Sequence, residues 1–542
     1  MNCIATGWAH KVKLRFVPLT IGILLIVCVF LNSPLLLAQE KQVNRYERPF
    51  KMNDHEFILQ SMGKDGLALF RDTEKFEKGK KKWEVTFVNT DLTEEWQTTV
   101  DVDSRKNIAG HEYYEGNIYL VFIETEFSNE ITLIKINAVA RSFMIHTFKP
   151  ETNIHFAHFT LVKSKAVFGG YIQNEAVLFM YDLNHEVAHI IPGTFQPKIE
   201  LLDIRTNANG TFNVLLKERA AADKKMVVRT YDDEGVLLFE KEFAIEGNKT
   251  ILEAMTNTLE HDELVIVGTW TYGNNKTTAG IFSAVVDPTK ELPITYYWLT
   301  DLEHFLDYLK PKRAAKIKAK AEWRKRAGKN ADYRVSLSSV RIQETESGFF
   351  FLTEAYDAPA SYYNTRYYSP YGYYPYASPY SYGTYYPYAF NSMPSRYYYP
   401  YGSTYPYNSG IVNQVRIFQT SLAFLDLTGK LQYDRSLKFK EIKMTTKEQA
   451  SDFTVHQGIV TLACKNEKDI FLSSAKKDGT EPAEELLSTV SKSETCKSES
   501  QENSGIRAWY DGFFYVFGYH TVKNNIENTS RDVFYINKVK GG

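Results

Sequence analysis

The sequence is short of most features from which a function is usually read. Only four of its 542 residues are cysteine (Cys3, Cys28, Cys464 and Cys496), too few for a disulfide scaffold or a multi-cysteine metal domain. The formal net charge is −1, so no global attraction to nucleic acid follows. There is no G-x-S-x-G, no phosphate loop and no dinucleotide fingerprint, hence no cofactor is implied. Beyond residue 38 no stretch is apolar over the roughly 20 residues a membrane-spanning helix needs.

Acids are also missing from the first 38 residues, and here the absence is informative. Lys11, Lys13 and Arg15 precede an apolar run from Leu19 to Leu31, and a Leu-Leu-Ala-Gln end follows with Ala38 at the cleavage position. This is the pattern of a secretory signal peptide over residues 1–38. An uncleaved anchor is the alternative, although Pro18 and Pro34 bracket a run too short to span. Losing these three cations takes the net charge from −1 to −4. The mature chain is therefore expected outside the cytoplasm: periplasmic, at the cell surface or extracellular. Cys464 and Cys496 would remain, and an oxidising compartment allows them to pair as one disulfide. Two separate thiols are the alternative.

What the chain has in quantity is repetition. A turn followed by an apolar run recurs, as at Gly116 (GNIYLVF), Gly210 (NGTFNVLL), Gly348 (SGFFFL), Gly458 (QGIVTL) and Gly512 (DGFFYVFG). Period-two alternation rich in β-branched and aromatic residues reads as antiparallel strands. A second marker keeps the phase: apolar runs end in Asp or Asn at Asp91, Asn137, Asp182, Asp232, Asp287, Asp426 and Asn537. Self-similarity at about 40–50 residues with four strands per unit indicates propeller blades. The long gap between Asp287 and Asp426 holds one unit plus two inserts. The fold expected over residues 39–542 is thus an all-β propeller of eight four-stranded blades, with seven as the alternative. The last unit ends without its fourth strand, and Arg45–Lys51 could supply it and close the ring.

Candidate metal chemistry is weak. His185-Glu186-Val187-Ala188-His189 matches H-E-x-x-H, but that motif needs a helix. Here it falls where the other units turn between their third and fourth strands. His155 and His158 on a strand are expected to point to opposite faces. In the Asp101–Asn107 loop Arg105 stands where a calcium loop has its third oxygen ligand, and no glycine follows at the turn position. Neither a catalytic nor a metal site is assigned.

The two inserts carry the binding residues. In residues 300–330, Thr300 and Glu303 form a capping box for a first helix over Asp301–Leu309, which Pro311 interrupts. The following helix carries Lys312, Arg313, Lys316, Lys320 and Arg324, with Trp323 beside them. It suits an anionic surface or acidic partner, or else is a solvated helix resting a thin apolar stripe on the rim. Residues 357–409 hold more than half of the 37 tyrosines among proline, serine and glycine. This low-complexity excursion has too few aliphatic side chains for a core. Tyr373, Tyr374, Tyr386 and Tyr398 are its candidate contacts, since tyrosine faces suit stacking. Strand order puts both inserts, and both late cysteines, at one face.

The repeat plan resembles the broad class of secreted bacterial β-propellers, at the level of architecture only. No Trp-Asp dipeptide marks WD40 repeats and no Gly-Gly signature recurs as in kelch repeats, so no family residues are carried over. What the resemblance implies is a rigid disc presenting loops. The reading is a non-enzymatic binding or scaffold protein engaging a partner protein or an anionic or glycan envelope polymer. The alternatives are a glycan hydrolase or lyase with a channel site, and an adhesin acting through the tyrosine-rich insert.

Overall fold

The computed structural model describes residues 42–542, apart from 52–53, 125–129, 174, 194–198, 219–223, 274, 276, 328, 330, 332, 334, 358–379, 382–383, 386–414, 445–446 and 502. The expected leader (1–38) and Tyr373, Tyr374, Tyr386 and Tyr398 lie outside the described residues. Among the described residues eight antiparallel blade sheets follow one another, as the repeat spacing predicts, and a two-stranded sheet pairs Tyr380–Ser381 with Thr384–Tyr385. Blade 2 shows the plan: strands A to D are Asn107–Tyr114, Asn117–Ile123, Ile131–Asn137 and Ser142–Phe148.

Local sequence makes each sheet. Glu115 and Gly116 both take positive φ, 46° and 76°, in a two-residue loop joining Tyr114 to Asn117. That geometry matches the twist of a hairpin and tolerates glycine best. Gln457 and Gly458 repeat it in blade 7, at 48° and 77°. The marker acids cap the C–D turns: the Asp426 side chain accepts the amides of Thr428 and Lys430, and Asp232 those of Glu234 and Val236. Inner strands are buried on both faces, as in His155–Val162, whereas outer strands such as Ser142–Phe148 are largely exposed.

The ring is held in two ways. First, an apolar cluster fills each interface between neighbouring blades; Phe156, Phe168 and Phe179, for instance, sit in the cluster between blades 2 and 3. Burying one such side chain is worth about 1.5–3 kcal/mol. Second, buried acids of one blade accept backbone amides of the next. Glu112 accepts Leu161 N at 3.1 Å, Glu253 accepts Ser339 N at 2.6 Å, and Asp452 accepts Ala508 N at 2.8 Å. Asp203 takes Thr256 N at 3.3 Å, and Glu354 takes both Ala450 N and Ser451 N.

The inner strands explain how these side chains come into position. Blades 2 to 6 each carry a bulge, at Ala109, Ala157, Leu202, Leu252 and Val340. A bulge adds a residue and re-aims the side chains that follow. The residues just after it include His158, Asp203, Glu253 and Arg341. Simple alternation between His155 and His158 therefore does not apply, because Ala157 bulges between them; both are buried.

The closing strand is Gln42–Pro49. It pairs antiparallel with Ser530–Lys540, from Gln42 opposite Val539 to Pro49 opposite Val533. The ring closes with strands from both ends of the chain in blade 8. The inner strand of that blade comes in two pieces, Glu494–Glu499 and Gly505–Ala508, both on Phe513–Asn524. The first piece pairs with the far end of the twelve-residue Phe513–Asn524, which extends past the second piece.

Candidate anion-binding face

Between the outer strand of blade 5 (Thr295–Trp298) and the inner strand of blade 6 (Ser336–Thr345) lies the helix α1, Pro311–Arg326. Pro311 sits at its first turn, where a missing N–H costs nothing. The run PKRAAKIKAKAEWRKR contains one β-branched residue, Ile317, so propensity favours the helix. Its basic last turn complements the negative end of the helix dipole.

The first helix expected over Asp301–Leu309 does not form. The segment is a series of turns, because blade 6 takes its amides. Asp434 accepts Glu303 N at 2.6 Å and His304 N at 2.9 Å. Gln419 accepts Tyr308 N and donates to Phe305 O. Leu302, Phe305 and Leu306 are buried in the core of blades 5 to 7. Burial and two fixed acceptors thus outweigh the capping box, leaving a rigid platform under α1.

On that platform α1 presents two faces. Ala321 is buried, and Ala314 and Ile317 pack against the same core. Lys318 donates to Glu303 O at 2.7 Å, and Lys325 pairs with Asp301 at 2.6 Å while lying over the Trp298 ring. Opposite this anchored face, Lys312, Lys316 and Lys320 are exposed and continue in Arg324. Residues four apart on a helix are neighbours, and like charges at that spacing repel. Among the described residues Lys312, Arg313, Lys316 and Lys320 have no ion-pair partner. Trp323 is 60% exposed, with Lys329 over its ring at 5.7 Å. The thin apolar stripe thus packs on the rim, and the basic residues lie on the other side of the helix.

Strands Gly348–Asp357 and Val415–Asp426 flank the tyrosine-rich segment, so the chain leaves and re-enters the sheet at the face where α1 lies. Cys464 and Cys496 also belong to this end of their blades, but they form no disulfide. Cys464 is buried in the core shared by blades 5 to 7. Cys496 stands opposite Val522 in blade 8, where its Sγ lies beside Ser498 O and Glu499. His185-Glu186 forms a turn with Glu186 at φ 55°, and Val187–Ile190 is strand. The His185 ring bonds to Asp182 at 2.8 Å, so the H-E-x-x-H residues act as turn and edge.

Sequence patterns did not reveal the buried acids between blades or the polar group around Cys496. Both depend on bulges and on pairing between distant strands. The only signal was an acid inside an otherwise apolar run, as at Glu253 and Glu354.

The sequence matches no protein-family profile and no curated protein. Solved structures with a related fold include the polysaccharide lyase Uly1, at 10% identity and a TM-score of 0.41 over 92% of this chain and 99% of that one. The dihydro-heme d1 dehydrogenase NirN aligns at 11% and 0.37 over 94% and 81%. The β-propeller domain of the Trilobed protease from Pyrococcus furiosus aligns at 8% and 0.32 over 79% and 97%. The likeness is one of fold.

Proposed function

We propose that this chain is an exported, non-enzymatic binding propeller that docks an anionic polymer of the cell envelope through the face carrying α1. The observation that carries the reading is the column Lys312–Lys316–Lys320–Arg324 on a helix whose other side is tied to the disc. Four like charges held side by side lose mutual repulsion when a polyanion lies along them. Trp323 offers an exposed ring beside the column for stacking on sugar, and Tyr373, Tyr374, Tyr386 and Tyr398 add further faces in this proposal. The acids of the inner strands bond to amides of the next blade, which supports binding over hydrolysis. Among the described residues no helix is long and apolar enough to cross a membrane.

The test is binding of the full chain to immobilised dextran sulfate and to uncharged dextran across a salt series. Retention on the sulfated polymer alone, weakening steeply with salt and lost in a Lys312→Glu/Lys316→Glu/Lys320→Glu variant, is the expected result. Equal binding by the triple variant would overturn the assignment.

A further inference from the structure

We propose that blade 8 contains a three-ligand site for a zinc-class divalent ion, formed by Cys496, Glu499 and His520. One ligand atom from each residue lies within 4.8 Å of the other two. The convergence has a clear structural origin. Glu499 and His520 are direct cross-strand partners, and the register shifts between Cys496 and Ser498, bringing the thiol to the same side. Thiolate, imidazole and carboxylate are the donor set of borderline metals, and three protein ligands leave a fourth position for water.

The state of each ligand supports this. His520 is 4% exposed and its Nδ1 has no hydrogen-bond partner. Glu499 has one oxygen committed, since its Oε1 takes Lys465 at 2.8 Å and the Tyr535 hydroxyl at 2.5 Å. Its Oε2 has Cys496 Sγ at 4.0 Å and a long contact from Thr489 at 3.4 Å. Cys496 is only half-buried, which gives an ion a way in. The thiolate is the ligating form, so binding an ion displaces the thiol proton.

Arg45 opposes the ion. Its Nη2 lies 2.7 Å from His520 Nε2, a contact that favours the proton on Nδ1. Metal at Nδ1 moves that proton to Nε2 and turns the Arg45 contact from attractive to repulsive. The site is therefore tuned toward weak, reversible occupancy, and Arg45 is its positioning residue.

Titrating the full-length, reduced protein with Co2+ reads this directly, because a cobalt–thiolate bond gives a charge-transfer band. One equivalent should produce the band, and Zn2+ should abolish it. Cys496→Ser and His520→Gln should each lose it, Cys464→Ser should keep it, and Arg45→Gln, whose carbonyl can accept from Nε2–H, should tighten binding. Circular dichroism on each variant separates loss of ligand from loss of fold. Absence of a band from the folded parent, or a band that survives in folded Cys496→Ser, overturns the proposal.

Discussion

Arg341 on the inner strand of blade 6 donates to Asp452 on the inner strand of blade 7 at 2.6 Å, with the two side chains only 10% and 7% exposed. The other carboxylate oxygen of Asp452 accepts Ala508 N in blade 8, so one acid joins three blades. Removing one member of a buried pair leaves the other charge uncompensated, at about 3–5 kcal/mol. Asp452→Ala should lower unfolding free energy by about that much in urea titrations, and Asp452→Asn, which still accepts the amide, by less. A change below about 1 kcal/mol in Asp452→Ala would show that the pair contributes little.

Acid sensitivity should trace to buried histidines. Burial lowers the pKa of His158 from 6.5 to about 4. As pH falls between those values the unfolded ring takes up a proton that the folded ring does not. Stability is therefore lost as pH falls through this window, by about 3 kcal/mol for this group. The slope of stability against pH between about 6.5 and 4 should be shallower in His158→Gln. Parallel slopes in the two proteins would rule His158 out as the source.

On α1, stability and binding should move in opposite directions. Lys316→Glu replaces two repulsions, with Lys312 and Lys320, by two attractions at the same spacing. A gain of about 0.5–1 kcal/mol is expected from such exposed pairs, together with weaker retention on dextran sulfate. Loss of both stability and binding would mean that Lys316 has a structural role.

The limits of the sequence follow the same division between local and distant contacts. Turn glycines such as Gly116 and Gly458, and marker acids such as Asp232 and Asp426, act within four residues of themselves, so they set blade count and phase. The closing strand around Arg45 was legible because the last unit visibly lacked a partner. Asp301–Leu309 was misread as helix because Asp434, more than 120 residues away, takes its amides. Cys496, Glu499 and His520 converge only after an irregular strand has paired, and no spacing rule encodes that.

Closure of the ring gives a further expectation. A chain beginning at residue 52 lacks Gln42–Pro49, and with it the Arg531–Glu47 pair at 2.9 Å and the bonds from Arg45 to Asn537 and Thr489. It also leaves Ser530–Lys540 as an open edge, which invites pairing with another chain. Light scattering should show self-association and urea unfolding should become broader. A monomeric, cooperatively unfolding truncated protein would show that closure is dispensable.

The pairing of Gln42 with Val539 also sets an order in time. During synthesis, seven blades can be complete while the eighth still waits for Ser530–Lys540. Until they arrive, the first strand has no partner and two sheet edges face each other across a gap. Contacts this distant in sequence form late and slowly. The interval before closure is therefore when a protease or a second copy of the chain would find its target, and mutations near residue 540 and near residue 42 should act on the same late step.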